Sequence, residues 1–390
     1  MTEAAPREVR PHPASREVTT PAELAEVLAD GGSLRGVRLR DLDLAAHEAE
    51  LLTRTDPADL AGLVVLGGGV SDRLAAHLRR HGALLFPGDA GAPISPYRAT
   101  LYRPEELYEG LDGGGYESTA DARTYAWSRD ARLARDDYVT LLRAIHDESM
   151  TDALTEMLEG HRVVGVMGGH AMRRDSEAYA GAARLGYALA RAGRVVLTGG
   201  GPGAMEAAGL GALAAGGDEG GDEAALTRAL EELAAVPSFR PSVGDWARLA
   251  LRVRAALPAG TGTTRSVGVP TWFYGHEPPG VFCDGIAKYF SNALREDTLL
   301  ARCDAGLVVL PGAAGTVQEI FQATTPLHYA AAEARVPPLV LVDERHWREV
   351  VPVWPALQAL TADRPHATAV HLVDDVDDAA ELIAATDRTR

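Results

Sequence analysis

The sequence predicts an α/β protein in which a doubly wound, Rossmann-like parallel sheet follows a smaller N-terminal α/β domain. Short apolar runs alternate with helical segments along most of the 390 residues, which indicates parallel strands covered by helices on both faces. Several of these runs end in glycine-rich turns, and ligands of such sheets bind at the carboxyl ends of the strands. The length is sufficient for two domains.

The first 150 residues are expected to contain a tail and the smaller domain. Residues 1–20 are polar and contain prolines, which predicts a loose tail. Residues 21–150 are assigned to the smaller domain and a helical connection, with an irregular segment at 87–120 and a helical pattern at 121–158. The elements expected before residue 90 are helices at 21–29, 44–53 and 71–81 and strands at 34–39, 63–66 and 83–86.

Residues 151–390 are assigned to the larger α/β domain. Its apolar runs are each followed by a helical segment, the pattern of a parallel sheet with right-handed crossovers. The expected strands are 163–167, 194–198, 266–272, 306–310, 338–342 and 369–373, and the clearest helices are 174–192, 204–215 and 223–235.

Composition narrows the class of function. The formal net charge is −17, so broad electrostatic binding to nucleic acid or to an anionic membrane is not expected. Two cysteines, no signal-peptide core and no apolar stretch of membrane-spanning length favour a cytoplasmic location. No His/Cys/Asp cluster has the spacing of metal ligands, so no metal is expected, and no cofactor is expected either.

The segment 311–319, Pro-Gly-Ala-Ala-Gly-Thr-Val-Gln-Glu, is the strongest candidate for a binding site. Gly312 and Gly315 allow backbone N–H groups to approach a ligand, and a helix that begins here favours an anion at its N-terminus. Thr316 and Glu319 share a helix face, and one helical turn is about 5 Å, so Glu319 is expected beside a phosphate and within reach of a ribose. An ordinary strand–turn–helix corner with a solvated glutamate is the alternative.

A second glycine turn, Gly-Gly-Gly-Pro-Gly-Ala-Met-Glu at 199–206, follows the strand at 194–198. Its spacing is not that of the dinucleotide-binding fingerprint. The glycines leave N–H groups able to face a ligand, which makes Gly200, Gly201 and Gly203 candidates for binding a phosphate or ribose. A tight turn with a purely structural role is the alternative.

Together with Val-Gly-Val-Met-Gly-Gly at 164–169, these turns resemble the LOG (Lonely Guy) family, long taken for lysine decarboxylases. Its members are phosphoribohydrolases that split the N-glycosidic bond of nucleoside 5′-monophosphates. The resemblance covers roughly residues 160–385, and the whole chain looks like the longer bacterial members, which include purine/pyrimidine nucleotide nucleosidases. One departure is Ala313, where the family has glycine.

The resemblance implies an enzyme that releases free base and ribose 5-phosphate from nucleotides such as AMP, with cytokinin nucleotides among the candidate substrates. It implies that Glu319 is catalytic, together with an arginine on the helix before the motif strand, for which Arg295 is the best match. It further implies that Met205 lines the base pocket and that the protein forms a homodimer or a higher homo-oligomer.

Two further segments are candidates for the base pocket. Asn292 is the candidate in the first, where Lys288, Asn292 and Arg295 are spaced as one polar face of a helix, although a solvated face explains the same spacing. His276 and Glu277 lie in an aromatic segment that follows a predicted strand, where a base could stack, or where the rings could pack between domains.

The bond to be broken gives the two residues their expected roles. Cleavage builds positive charge on the sugar and negative charge on the departing base. Glu319 would stabilise the first and orient a water, and Arg295 would offset the second. A nucleotide-sensing protein without turnover is the main alternative. Pyridoxal-dependent decarboxylation is a third, and it depends wholly on Lys288, which is the single lysine.

Overall fold

The computed structural model describes residues 16–388 except 30, 32, 87, 90, 217–222, 259–261 and 275–276. The chain divides between Ala99 and Thr100 into two compact units. The domain boundary expected at residue 150 lies inside the helix Asp137–Leu158, which belongs to the larger unit.

The smaller unit is built on a four-stranded parallel sheet whose strands follow the order β1-β2-β3-β4. The strands are β1 Glu17–Val18, β2 Arg38–Arg40, β3 Val64–Leu66 and β4 Leu84–Phe86, and the helices are α1 Pro21–Ala29, α2 Glu48–Leu51, α3 Pro57–Leu60 and α4 Asp72–Arg80. Strand β1 falls within the segment expected as a tail, because Val18 is fully buried and pairs with Leu39. The order has no reversal, so this sheet has no topological switch point.

The larger unit contains a seven-stranded sheet in which every paired neighbour is parallel. Its strands are β5 Val163–Met167, β6 Val195–Thr198, β7 Ser266–Gly268, β8 Gly285–Ile286, β9 Gly306–Val309, β10 Leu339–Val342 and β11 Val370–Val373. The order is β11-β10-β9-β5-β6-β7-β8, so the direction of winding reverses between β5 and β9. The doubly wound fold predicted from the sequence is confirmed.

Twelve helices of the larger unit, among the described residues, connect or cover these strands. They are α5 Pro104–Leu107, α6 Leu111–Gly114, α7 Ala120–Arg129, α8 Asp137–Leu158, α9 Glu177–Arg191, α10 Ala204–Ala214, α11 Glu223–Leu233, α12 Val243–Ala256, α13 Asn292–Ala301, α14 Ala314–Tyr329, α15 Trp354–Thr361 and α16 Val376–Arg388. None of the described helices is both long and apolar enough to cross a bilayer.

Each face of the large sheet has its own apolar core, which follows from the alternation of side chains along a strand. On β5, Val164 and Val166 pack with residues of α9 and α10. Val163 and Met167 point the opposite way and pack with residues of α8 and α14. The sheet is therefore buried on both sides, and its carboxyl edge is where ligands can approach.

The prediction of one helix across Lys288 and Arg295 is wrong for its first part. Helix α13 begins at Asn292, with Ser291 as its N-cap, and Tyr289 instead forms a β-bridge with Thr271. Lys288 therefore does not share a helix face with Arg295. Strand β7 is also shorter than predicted, while β8 and α12 were not predicted.

Candidate active site

A cleft of about 900 Å³ lies at the carboxyl edge of the large sheet, where the winding reverses. Its walls are the segments that follow β5, β6, β7 and β9, together with side chains from α13 and α14. The predicted site residues that border it are Gly201, Met205, Glu277, Arg295, Gly312, Gly315, Thr316 and Glu319. Local sequence and topology therefore bring the two glycine turns to one cavity.

The turn after β9 presents the open N-terminus of α14 to this cleft. No side chain among the described residues caps that helix, so its first N–H groups are available to a ligand. A Cβ at Gly312 would lie 2.2 Å from the Thr316 hydroxyl oxygen, and one at Gly315 would meet open space. Ala313 is exposed and its φ is −115°, so alanine fits this position without backbone strain.

Arg295 is held rigidly at the centre of the cleft wall. Its Nε donates to the Val269 carbonyl at 2.6 Å and its Nη2 to the Gly199 carbonyl at 3.2 Å. Its Nη1 lies 3.7 Å from Oε1 of Glu319 and 3.9 Å from Oε1 of Glu296. One guanidinium therefore faces two carboxylates, at distances that allow attraction without a direct hydrogen bond.

Glu319 is a buried carboxyl whose charge is only partly balanced. It is 9% exposed and accepts no hydrogen bond from the described residues. Burial raises its pKa from 4.5 to about 7, Arg295 opposes that rise and the Glu296 carboxylate adds to it. A carboxyl whose pKa is raised towards neutral pH beside an open helix N-terminus has the character of an acid–base or charge-stabilising group.

The turn after β6 contributes less to the cleft surface than predicted. Gly200 and Gly203 have φ of +68° and +74°, and a Cβ would lie 2.9 Å from the Val269 nitrogen or 2.4 Å from the Gly169 oxygen, respectively. These two glycines fit the turn against neighbouring backbone and do not border the cleft. Gly201 does border it, beside Met205.

Two family models match parts of the chain. Residues 161–221 match the model of the SLOG cluster4 family, and residues 255–383 match the model described as possible lysine decarboxylase. The chain carries a LOG-family domain. The resemblance inferred from the glycine turns is thereby confirmed.

Solved structures similar to the chain include the molybdenum cofactor carrier protein of Chlamydomonas reinhardtii, at 19% identity and a TM-score of 0.34, covering 57% of this chain and 96% of that one. The molybdenum cofactor binding protein of Rippkaea orientalis is similar at 17% identity and a TM-score of 0.33, covering 58% and 98%. No curated protein matches the sequence.

Glu296 is a residue of the LOG-family domain that the sequence analysis missed. It is 5% exposed, borders the cleft and accepts hydrogen bonds from Asn292 Nδ2 at 2.8 Å and from Gln318 Nε2. Asn292 also donates to the Tyr274 hydroxyl at 3.0 Å but does not itself border the cleft. The i, i+4 spacing of Asn292 and Glu296 is visible in the sequence, but it is common on helices of all kinds.

Of the two residues predicted in the aromatic segment, Glu277 borders the cleft, with Oε1 3.4 Å from Nδ1 of His170. His276 lies outside the described residues. His346 is another residue that sequence reasoning missed, because its Nε2 reaches the Gly312 carbonyl at 3.1 Å from a distant segment.

Lys288 lies outside the cleft of the LOG-family domain. It is 1% exposed and its Nζ donates to Asp121 at 2.5 Å, while burial lowers its pKa and Asp121 opposes that shift. A lysine that forms a Schiff base attacks as a neutral amine, whereas this amine forms an ion pair with Asp121 and does not border the cleft. Among the described residues, no group of three or more His, Cys, Asp or Glu side chains is placed to hold a metal.

Proposed function

We propose that the protein hydrolyses the N-glycosidic bond of nucleoside 5′-monophosphates to free base and ribose 5-phosphate. The observation that carries this proposal is the placement of Glu319. Its buried carboxylate lies one helical turn inside an open helix N-terminus and 3.7 Å from Arg295. The LOG-family domain supports a function that involves nucleotides.

The N-terminus of α14 is the proposed phosphate site. Free N–H groups and the helix dipole favour an anion there, and the Thr316 hydroxyl adds a donor. Because the chain has a net charge of −17, a phosphate needs a local site of this kind. Gly312 and Gly315 keep the approach to the backbone open.

With the phosphate on this turn, Glu319 faces the ribose. The C–N bond breaks with its electron pair on the base, and the Glu319 carboxylate stabilises the positive charge that develops on the sugar. A water oriented by the same carboxylate forms the new C–O bond and gives its proton to Glu319, and the departing base takes up a proton from solvent to become the free base. Arg295 holds the pose and offsets the negative charge on the departing base.

The proposal extends to assembly and location: a homodimer or higher homo-oligomer in the cytoplasm, without a nucleic-acid or membrane partner. A homo-oligomer would cover large apolar side chains that are exposed in the larger unit, such as Tyr329 at 80% and Leu141 at 59%. Light scattering coupled to size-exclusion chromatography would test the assembly.

Incubation with AMP, GMP, CMP and UMP, followed by quantification of free base and ribose 5-phosphate, tests the reaction. We expect both products in equal amounts from at least one nucleotide. Binding of nucleotides without base release would overturn the hydrolase and favour a nucleotide-sensing protein.

Two threonines on α14 provide a matched test of the phosphate site. Thr316→Val should raise the KM because it removes a donor that borders the cleft. Thr324→Val is the control, since Thr324 is also buried but its hydroxyl donates to the Ile320 carbonyl of its own helix. Equal KM values for the two variants would contradict the assignment of Thr316.

A further inference from the structure

A second cavity, of about 170 Å³, lies beside the cleft within the larger unit. Three residues border both cavities: Thr271, Tyr274 and Glu277. The remainder of the second cavity includes Tyr116, Asp121, Tyr125, Ala126, Trp272 and Lys288. The function proposed above uses none of the residues in this second group.

The second cavity lies where the base of a bound nucleotide would point. The phosphate turn follows β9 and the shared wall follows β7, so the order β9-β5-β6-β7 separates them by three strand spacings, or about 14 Å. Arg295 lies between them, because it bonds the Val269 carbonyl after β7 and approaches Glu319 on α14. A nucleotide with its ribose at Glu319 therefore directs its base towards Thr271, Tyr274 and Glu277.

The walls of this cavity suit a planar ring that carries a carbonyl group. Tyr116 and Tyr125, both partly exposed, offer aromatic surfaces on which a ring can stack. Lys288 Nζ has Asp121 as its hydrogen-bond partner among the described residues, which leaves two of its three N–H donors for a ligand. Asp121 is already bonded to Trp272 Nε1 and the Tyr116 hydroxyl, so it fixes the lysine in place.

The volume is sufficient for a base. A protein cavity of about 150 Å³ holds a benzene molecule. At about 170 Å³ this cavity accommodates a six-membered ring with an exocyclic group. Adenine has no carbonyl oxygen to accept a hydrogen bond from Lys288.

We propose that this cavity is the base subsite and that it favours bases with an exocyclic carbonyl oxygen, such as uracil and cytosine, over adenine, through a hydrogen bond from Lys288 to that oxygen. The proposal rests on the proposed function for its orientation of the nucleotide. Helix α7, which supplies Asp121, Tyr125 and Ala126, lies outside both segments that match the family models. The subsite would thus combine Lys288, which lies within the segment 255–383, with a helix that those models do not cover.

Ala126 allows the cavity to be filled without disturbing the core, because it is exposed and borders the cavity. In the wild-type protein we expect kcat/KM for UMP and CMP to exceed that for AMP by at least about tenfold. Ala126→Phe should lower the values for UMP and CMP by a similar factor. Arg123→Phe, an exposed position of the same helix that does not border the cavity, should leave them unchanged.

Titration calorimetry with UMP and AMP, on the wild type and both variants, separates this proposal from the proposed function. Three results together would support the subsite and contradict the hydrolase. No nucleotide is hydrolysed, UMP binds more tightly than AMP, and Ala126→Phe abolishes that difference in affinity. A preference for AMP, or equal behaviour of Ala126→Phe and Arg123→Phe, would overturn the subsite.

Discussion

Two buried arginine–glutamate pairs of the larger unit have the same chemistry and opposite geometry. Arg174 and Glu206 form two hydrogen bonds, Nη2 to Oε1 at 2.5 Å and Nε to Oε2 at 3.1 Å, and each side chain is 1% exposed. Arg295 and Glu319 approach only to 3.7 Å, and both border the cleft. The first is a closed pair, in which guanidinium and carboxylate bond each other directly. The second is an open pair, in which they do not.

The difference separates a structural pair from the pair that we propose to be functional. Arg174 also donates to the Trp246 carbonyl and lies over the Trp246 ring, so it fastens the segment after β5 to α10 and α12. The Glu319 carboxylate accepts no hydrogen bond from the described residues, and burial raises its pKa to about 7. Burial with full hydrogen bonding stabilises a pair, whereas burial without it leaves a carboxyl ready to react with a ligand.

The largest expected effect comes from removing the open carboxylate. Glu319→Gln keeps the shape but cannot stabilise positive charge on the sugar, so kcat/KM for the best nucleotide should fall by about 10³-fold. Steady-state release of ribose 5-phosphate measures this. The Kd for the nucleotide should change little, which serves as the control for correct folding. Activity within tenfold of the wild type would remove Glu319 from the mechanism.

Breaking the closed pair should lower the stability of the protein. Glu206→Ala leaves the Arg174 guanidinium buried without its partner, which should lower the free energy of unfolding by about 3–5 kcal/mol. Neither side chain borders the cleft, so kcat/KM per folded molecule should change far less than in Glu319→Gln. Urea denaturation with an activity assay distinguishes the two. An unchanged unfolding midpoint would mean that this pair contributes no more than a surface pair.

The open pair should show the reverse effect on stability. Because the fold raises the pKa of Glu319 from 4.5 to about 7, the folded chain holds that proton more tightly, and stability falls as pH rises through this window. Glu319→Gln should therefore raise the free energy of unfolding by on the order of 2 kcal/mol at pH 8. Most of this increase in the free energy of unfolding should be lost at pH 5. Urea unfolding at both pH values tests it, and a loss of stability at pH 8 would contradict it.

The contrast also explains what the sequence could predict. Strands and helices of the large sheet follow local periodicity, and Thr316 and Glu319 lie in one motif whose spacing alone places them on a common face. The false start of the helix at Lys288 has a long-range cause. Asp147 accepts hydrogen bonds from the Phe290 and Ser291 nitrogens, which holds this segment extended up to the helix cap.

Glu296 shows that local sequence is equally limited in predicting the site. Its position beside Arg295 in the sequence says nothing about Gln318, which approaches it from another helix and donates a hydrogen bond to it. The Arg174–Glu206 pair was equally invisible, because its members are separated by a strand and a helix along the chain. Side-chain pairs between different helices or loops depend on how the chain packs, so the local sequence pattern does not predict them.

The smallest expected effect concerns how Glu296 tunes its neighbour. If the ionised form of Glu319 is the active one, kcat/KM should rise with pH through a midpoint near 7. The Glu296 carboxylate raises the pKa of Glu319 by repulsion, so Glu296→Gln should move the midpoint to lower pH. Asp297→Asn is the matched control, because Asp297 is exposed on the same helix, bonds to Gln322 and does not border the cleft. Equal midpoints in the two variants would show that Glu296 positions side chains without tuning the charge of Glu319.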